Sequence, residues 1–226
     1  VFFPPFLGWL NLRVNYRNHR KIVVVDGNTG FVGGFNIGRE YISRDPRFGY
    51  WRDTHLEIKG EAAISLQIRF ALDWNYVTGE NLFKEIRYFG EEAEYARRRL
   101  KGQIHAVWPD PDHVNEMVCM QIITSGPDTR EPHIRNNYLE LFHKAKHHIY
   151  IQTPYFIPDD AIFSSLKIAA LSGVDVRLMI PCKPDHPFVY WATCSYAGEL
   201  LDYGARVYVY ENGFLHSKGI MIDGRV

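Results

Sequence analysis

"YRNHRKIVVVDGNTGFVGGFN", residues 16–36, places a histidine and a lysine two positions apart at the entrance of an apolar, β-branched run that ends in Asp-Gly. Short runs rich in valine and isoleucine predict β-strands, here over 21–26 and 30–34. "FLHSKGIMIDG", residues 214–224, repeats the pattern near the other end of the chain. The two stretches therefore indicate an internal duplication, with one copy of the pattern in each half of the chain.

Short β-rich runs alternate with amphipathic segments along the rest of the chain, and this alternation predicts an α/β fold. Further strands are predicted over 54–59, 117–124, 148–152, 174–180, 206–210 and 215–222, and helices over 37–43, 61–75, 84–100, 134–146, 159–172 and 192–203. The charge-dense, turn-rich stretch 79–116 predicts a linker or a peripheral helix. The predicted organisation is a first lobe over 1–78, a connecting segment over 79–116 and a second lobe over 117–226.

Composition narrows the classes of function. Lysine plus arginine equals aspartate plus glutamate at 26 each, so the formal net charge is zero. A sequence-independent nucleic-acid binder usually carries a basic excess, and the neutral balance therefore disfavours a nuclease. No apolar run approaches the roughly 18 residues that a membrane-spanning helix needs. Because the chain begins without methionine and stops directly after an apolar, strand-like run, we expect it to be a piece of a longer protein.

Each copy of the repeated pattern reads H-x-K-x4-D. The copies are His19, Lys21 and Asp26, and His216, Lys218 and Asp223. One such match arises by chance in roughly one chain of this size per hundred, and two copies are far rarer. Residues two apart on a strand share a face, so the histidine and lysine of each copy point the same way. The aspartate is predicted to face the other way and to orient the backbone or a turn.

A histidine beside a fixed ammonium suits an anionic phosphate group. The lysine offsets the charge, while the histidine transfers a proton or acts as a nucleophile. Two such pairs supply one histidine to attack phosphorus and another to protonate the departing alcohol and then activate the acceptor. Nearby, Gly33 and Gly34 permit close backbone approach, and Asn36 is placed to cap the helix predicted from Ile37. Such a helix N-terminus would form a phosphate cradle.

With these motifs the chain resembles the phospholipase D superfamily. The flanking words "FVGGFNIG", "WRDTHL", "IQTPYFIPD", "ALSGVDVRLMIPCKPDHPFVYWAT" and "NGFLHSK" resemble bacterial cardiolipin synthases, and the resemblance covers nearly all of the chain outside 79–116. It implies two similar α/β lobes with mixed sheets that meet at one shared active site. It also implies phosphatidyl transfer between two phosphatidylglycerol molecules, giving cardiolipin and glycerol through a phosphohistidine.

The resemblance implies roles for individual residues. His19 corresponds to the nucleophile and His216 to the general acid/base, with Lys21 and Lys218 beside them. The substrate-binding candidates are Gly34, Asn36 and Asp53. Asp53 is also the carboxylate expected to hold a motif histidine in its reactive tautomer. No metal and no cofactor are expected. Because a G-S-x-N-like segment follows the second motif in the family, and this chain stops at Val226 before reaching one, we expect the second lobe to be incomplete.

The expected partners are phosphatidylglycerol and a membrane surface, without nucleic acid. The resemblance implies a location at the bacterial cell membrane, with a transmembrane anchor outside these residues and the catalytic part in the cytoplasm. Three alternatives remain open: a hydrolytic phospholipase D, a nuclease of the same superfamily, and a non-catalytic lipid-binding domain. The sequence does not specify an oligomeric state.

Two further signals are weaker. His143 and His147 stand four apart on a predicted helix, a spacing that suits zinc, but no third ligand recurs at useful spacing and a solvated basic helix end explains them better. Asp185 and His186 follow a predicted strand, where loops often line binding sites. They are candidates for touching the lipid headgroup, and a plain turn is the alternative.

Overall fold

The computed structural model describes residues 18–85, 88–89, 118–126 and 129–224. These residues group into two compact units. The first contains the described residues up to Gly33 and from Leu56 to Ile123, and the second contains 34–55 and the described residues from Thr124 onward. The prediction placed 34–55 in the first lobe. The grouping differs because the strand in this segment pairs with the strand that leads into the second motif.

The elements of the described residues are as follows. The strands are β1 Ile22–Val25, β2 Thr29–Gly33, β3 Trp51–Arg52, β4 His55–Lys59, β5 His148–Gln152, β6 Asp175–Pro181, β7 Arg206–Tyr210, β8 Phe214–Leu215 and β9 Gly219–Ile222. The helices are α1 Glu61–Thr78, α2 His133–Lys144, α3 Asp160–Leu171 and α4 Pro187–Leu201, with short 3-10 turns at Glu40–Ile42 and Leu82–Lys84.

The first unit is a small sheet covered by one helix. Within the described residues its strand order is β1-β2-β4, and β1 pairs antiparallel with β2 from Ile22↔Val32 to Val25↔Thr29. Helix α1 packs on β2 through the buried side chains of Ala63 and Leu66. The apolar runs that predicted these strands and the helix therefore form the core of this unit.

The second unit is a mixed sheet flanked by helices. Its strand order among the described residues is β7-β6-β5-β9, with β5, β6 and β7 parallel and β9 antiparallel to β5. Helices α3 and α4 connect the parallel strands in turn, as parallel neighbours require. The fully buried side chains of this core come from both strands and helices: Ile149, Leu166, Leu178 and Leu200.

A second ladder in the same unit carries the second motif. Strands β3 and β8 pair in parallel, with Trp51 opposite Phe214 and Arg52 opposite Leu215. The rings of Trp51 and Phe214 lie 4.9 Å apart, and Phe48 packs on both at 5.3 and 5.2 Å. Aromatic burial of this kind fixes two chain segments that are far apart in the sequence.

Two predicted elements are absent from the described residues. The predicted helix over 37–43 is only the 3-10 turn at Glu40–Ile42. Ile37 and Ile42 are exposed, so the apolar side chains of this segment are not buried enough to stabilise a longer helix. The predicted strand over 117–124 is not formed at 118–124, where Val118 is 82% exposed. A β-branched run without a pairing partner does not form a strand. The predicted helix over 84–100 lies mostly outside the described residues.

Two other boundaries differ for local reasons. Helix α4 starts at Pro187, five residues before the predicted position, because proline suits the first turn of a helix. The predicted strand over 215–222 is interrupted at 216–218, between β8 and β9. At this break the backbone amides of His216 and Ser217 donate to the Arg52 carbonyl, at 2.8 and 3.1 Å.

Candidate active site

The break between β8 and β9 presents the second motif. Because Arg52 accepts both the His216 and the Ser217 amides, the backbone of the motif is fixed against β3. The hydroxyls of Thr54 and Ser217 also hydrogen bond to each other, and Ser217 is buried. The β3 segment therefore holds the motif through both backbone and side chains.

His216 is paired with Asp53. Asp53 Oδ2 lies 2.7 Å from His216 Nδ1, and the Asp53 side chain is only 1% exposed. Burial by itself would raise the pKa of the Asp53 carboxyl, but hydrogen bonds from His216, the Thr54 amide and Trp51 outweigh it and hold the pKa below its ordinary value. An ionised carboxylate only accepts hydrogen bonds, so Nδ1 carries a proton and Nε2 is the nitrogen available for proton transfer.

Each motif lysine takes the same position on its own histidine. Lys218 Nζ lies 3.1 and 3.2 Å from the two ring nitrogens of His216 and donates to the His216 carbonyl at 2.7 Å. In the first unit, Lys21 Nζ lies 2.8 Å from both ring nitrogens of His19 and donates to the His19 carbonyl at 2.7 Å. The two copies of the motif therefore have the same local geometry, with a lysine ammonium beside each imidazole.

Aromatic rings surround the second-motif histidine. Ring centroids of Trp51, Tyr41 and Phe214 lie 5.0, 6.1 and 6.2 Å from the imidazole of His216, whose side chain is 11% exposed. Excluding water in this way strengthens the charge interactions of the imidazole. Tyr41 and Trp51 could not be identified from the sequence, because their contacts with His216 depend on the pairing of β3 with β8.

Gly34 and Asn36 have different surroundings from those predicted. A Cβ atom on Gly34 would lie 2.1 Å from Asp53 Oδ1, so the close approach that this glycine permits is to Asp53. Asn36 caps no helix, since none starts at Ile37, and its amide instead donates to the Tyr41 hydroxyl at 2.6 Å. Gly34 therefore borders Asp53, and Asn36 bonds to Tyr41, whose ring lies 6.1 Å from the His216 imidazole.

Asp53 itself is too buried to bind substrate. Its two oxygens are occupied by His216, Trp51 and the Thr54 amide. Its predicted grouping with the substrate-binding residues therefore does not fit, whereas its contact with Nδ1 fits the predicted control of a histidine tautomer.

The two motif aspartates lie in matching turns. Asp26 and Asp223 both have φ 52°, and each is followed by a glycine with positive φ. Each strand therefore ends one residue before its aspartate, and the face predicted for the aspartate from regular strand geometry does not apply. The Asp223 carboxylate accepts the backbone amides of 146–148 at 2.8–2.9 Å, and these hydrogen bonds lower its pKa to about 2. Asp26 is exposed and has no hydrogen-bonded side-chain partner among the described residues.

The described residues contain no cluster of side chains that would support the zinc hypothesis. Helix α2 ends at Lys144, so His147 lies beyond the helix that carries His143. In the part of the chain that the structure describes, no group of three or more histidine, cysteine or acidic side chains is arranged to hold a metal ion. Across the same residues, no helix combines the length and the apolarity needed to cross a bilayer.

Known proteins share both the sequence and the fold. Residues 138–226 match the family described as "Cardiolipin synthase, PLD-like domain". The chain is 49% identical over 227 residues to the major cardiolipin synthase ClsA of Bacillus subtilis, and 53% identical over 226 residues to cardiolipin synthase 2 of Staphylococcus epidermidis. Both matches include the whole of this chain but only 43% and 42% of the relatives, so the chain spans less than half of their length.

The fold is shared with a more distant protein. The crystal structure of phosphatidylserine synthase from Haemophilus influenzae Rd KW20 superposes with a TM-score of 0.50 at 15% identity, covering 91% of this chain and 51% of that chain. The mixed α/β architecture and the two His-x-Lys motifs define a phospholipase D-like protein. The sequence relatives narrow the class: residues 138–226 match the PLD-like domain of cardiolipin synthase, and the whole chain is similar to bacterial cardiolipin synthases.

Proposed function

We propose that the protein is a phosphatidyltransferase that converts two phosphatidylglycerol molecules into cardiolipin and glycerol. The observation that carries this proposal is the Asp53–His216 pair with Lys218 beside it, because it provides a proton-transfer group next to a fixed positive charge. The relatives are named cardiolipin synthases, which supports the same reaction for a chain that spans less than half of their length.

In the first step, a ring nitrogen of His19 attacks phosphorus of the donor lipid. The bond between phosphorus and the headgroup oxygen breaks, and this oxygen takes a proton from Nε2 of His216 and leaves as glycerol. Lys21 and Lys218 offset the charge that builds up on the phosphoryl oxygens. The product is a phosphatidyl group covalently bound to His19.

In the second step, His216 acts as a base. Its Nε2 takes the proton from the terminal hydroxyl of a second phosphatidylglycerol as that oxygen attacks phosphorus. The bond between phosphorus and His19 breaks, which releases cardiolipin and restores both histidines to their starting state. Asp53 stabilises the His216 imidazolium that forms in each cycle, as a buried carboxylate does in other histidine-based sites.

We place this reaction at the surface of a bacterial membrane, because both substrates and one product are membrane lipids. Nucleic acid is not a proposed partner, since the formal net charge of the chain is zero.

Product analysis tests the proposal. Purified protein is incubated with phosphatidylglycerol vesicles, and the lipids and glycerol are quantified by mass spectrometry. Cardiolipin and glycerol should appear in equal amounts, with His19→Ala and His216→Ala both inactive. The matched control is His133→Ala, since this exposed histidine lies at the start of α2. Phosphatidic acid in place of cardiolipin would identify a hydrolase, and turnover by either motif variant at the wild-type rate would refute the mechanism.

A further inference from the structure

Tyr155 and Asp185 come from neighbouring strand ends. Tyr155 lies in the loop after β5, and Asp185 lies in the loop between β6 and α4. Because β5 and β6 are parallel, both loops leave the sheet at the same edge. In open α/β sheets this carboxyl edge is where ligands bind.

The second motif reaches the same edge. Strand β9 runs antiparallel to β5, and its first residue, Gly219, pairs with Gln152, the last residue of β5. Lys218 and His216 directly precede Gly219, so they lie at the end of β5 from which the Tyr155 loop leaves. The fold of this unit therefore brings Tyr155 and Asp185 to the edge that carries the proposed acid/base.

Tyr155 and Asp185 are also bonded to each other. The Tyr155 hydroxyl donates to Asp185 Oδ2, and the His186 amide donates to Asp185 Oδ1 at 2.7 Å. Among the residues described, no lysine, arginine or histidine side chain forms an ion pair with Asp185. The pair is thus a carboxylate with a phenol, and no described side chain supplies a neutralising cation.

The Tyr155 phenol is protonated, and a second phenol, Tyr41, lies beside His216. Burial first, and then Asp185 and Tyr41, raise the pKa of Tyr155 well above its ordinary value, so the phenol keeps its proton. The Tyr41 ring stands edge-on to the His216 imidazole at 6.1 Å.

The chemistry of the pair suits an alcohol rather than a phosphate. A carboxylate without a cation repels phosphate but accepts hydrogen bonds from hydroxyl groups, and a protonated phenol can both donate and accept. In the proposed reaction, Lys218 beside His216 already offsets the charge of the phosphate. A polyol bound by the carboxylate and phenol would present a hydroxyl to His216.

We propose that Tyr155 and Asp185 bind the free hydroxyls of the glycerol group that leaves or enters at His216, and so select glycerol over simpler alcohols. This inference rests on the proposed phosphatidyl transfer. The ligand is the diol of a glycerol group, whether it belongs to free glycerol or to a lipid headgroup.

Competition between two acceptors tests the inference. Phosphatidylglycerol vesicles supply the phosphatidyl group, and deuterated glycerol and 1-propanol compete for it, since 1-propanol has the same carbon chain but a single hydroxyl. The ratio of deuterated phosphatidylglycerol to phosphatidylpropanol is measured by mass spectrometry. A variant that folds poorly loses both products equally, so the ratio reports recognition alone.

We expect Asp185→Asn and Tyr155→Phe to lower this ratio by about tenfold or more, which is the scale of one hydrogen bond to a charged group. Tyr150→Phe is the matched control, because Tyr150 also donates to an aspartate, Asp175, which lies at the opposite end of β6. It should keep the wild-type ratio.

A second arm replaces deuterated glycerol by headgroup-deuterated phosphatidylglycerol and compares labelled cardiolipin with phosphatidylpropanol. A fall in this arm assigns the pair to the lipid headgroup, and a fall confined to the first arm assigns it to free glycerol. Unchanged ratios in both arms, with transfer still measurable, would overturn the inference alone. If the wild-type protein forms no transfer product, both the proposed function and the inference are refuted.

Discussion

Asp53 Oδ2 and His216 Nδ1 are 2.7 Å apart, although 163 residues separate the two in the chain. The parallel pairing of β3 with β8 brings them together, and the Arg52 carbonyl fixes the amide of His216. The acid/base role proposed for His216 depends on this contact, because the carboxylate determines which ring nitrogen carries the proton.

Asp53→Asn should lower turnover by about 10²–10⁴-fold, since an amide stabilises the imidazolium poorly and permits the wrong tautomer. The KM for phosphatidylglycerol should change little, because Asp53 is buried and does not face the lipid. Steady-state kinetics on vesicles measure both parameters. Asp45→Asn is the control, since Asp45 pairs with the exposed Arg47 in the same segment. A rise in KM with unchanged turnover would instead indicate a substrate-binding role for Asp53.

Gly34→Ala should impair the same step. The added Cβ would lie 2.1 Å from Asp53 Oδ1 and must displace the carboxylate, and a misplacement of about 1 Å can cost roughly 10²-fold in rate. Gly198→Ala in α4 is the control, because no atom beyond the adjacent residues and the helix backbone lies within 4 Å of its added Cβ, and alanine favours a helix. Both variants are compared by turnover and by thermal unfolding. Equal turnover in the two would show that Asp53 does not need the space beside Gly34.

The two motif aspartates should differ in their effect on stability. Asp223→Asn weakens the hydrogen bonds to the backbone amides of 146–148, so the Tm should fall by several degrees. Asp26→Asn changes an exposed side chain with no such partners among the described residues, and its Tm should stay near that of the wild type. Differential scanning calorimetry at neutral pH measures the Tm of both variants and of the wild type. Equal losses at both positions would contradict the distinction.

The same contacts predict a pH dependence. The pKa of Asp223 is about 2 in the folded protein and 3.8 in an ordinary aspartate, so its contribution is complete above 3.8 and is lost as pH falls toward 2. The free energy of unfolding of the wild type should fall across this window, and Asp223→Asn should show a shallower decline. Urea titrations at several pH values measure both slopes, and parallel slopes would assign the acid sensitivity to other groups.

Phosphatidyl transfer should survive an excess of EDTA. The ammonium groups of Lys21 and Lys218 supply positive charge next to the motif histidines, which a divalent cation would otherwise provide. Turnover on vesicles is compared with and without the chelator. Loss of activity with EDTA, restored by Zn²⁺ or Mg²⁺, would instead indicate that the reaction requires a metal ion.

The motifs and most regular elements could be predicted from the sequence, because they depend on local patterns. Strands such as β5 and β6 and helices such as α1 and α3 follow apolar periodicity that the core then buries. The resemblance carried by the flanking words is confirmed by the match of residues 138–226 to the cardiolipin synthase PLD-like domain and by the similar cardiolipin synthases.

The surroundings of His216 could not be predicted in the same way. The helix expected after Asn36 required burial of the apolar residues of "IGREYIS", but Ile37 and Ile42 are exposed, and Asn36 bonds to Tyr41 instead. The partner of Asp53 depended on the two-residue ladder of β3 and β8, which is too short to leave a periodic signal. Long-range pairing decided these contacts, and a single sequence records it weakly.

The measurement that tests the central claim most directly is a burst experiment with His216→Ala and a phosphatidyl ester of p-nitrophenol. This leaving group needs no protonation, so attack by His19 should proceed while the later acceptor step, which needs His216, is blocked. We predict a burst of about one equivalent of nitrophenolate per protein, which is the stoichiometry of a covalent intermediate. Peptide mass spectrometry should then find the phosphatidyl group on the peptide that contains His19, and His19→Ala should give no burst. An adduct on the His216 peptide of His19→Ala, or steady turnover by His216→Ala without any adduct, would contradict the account.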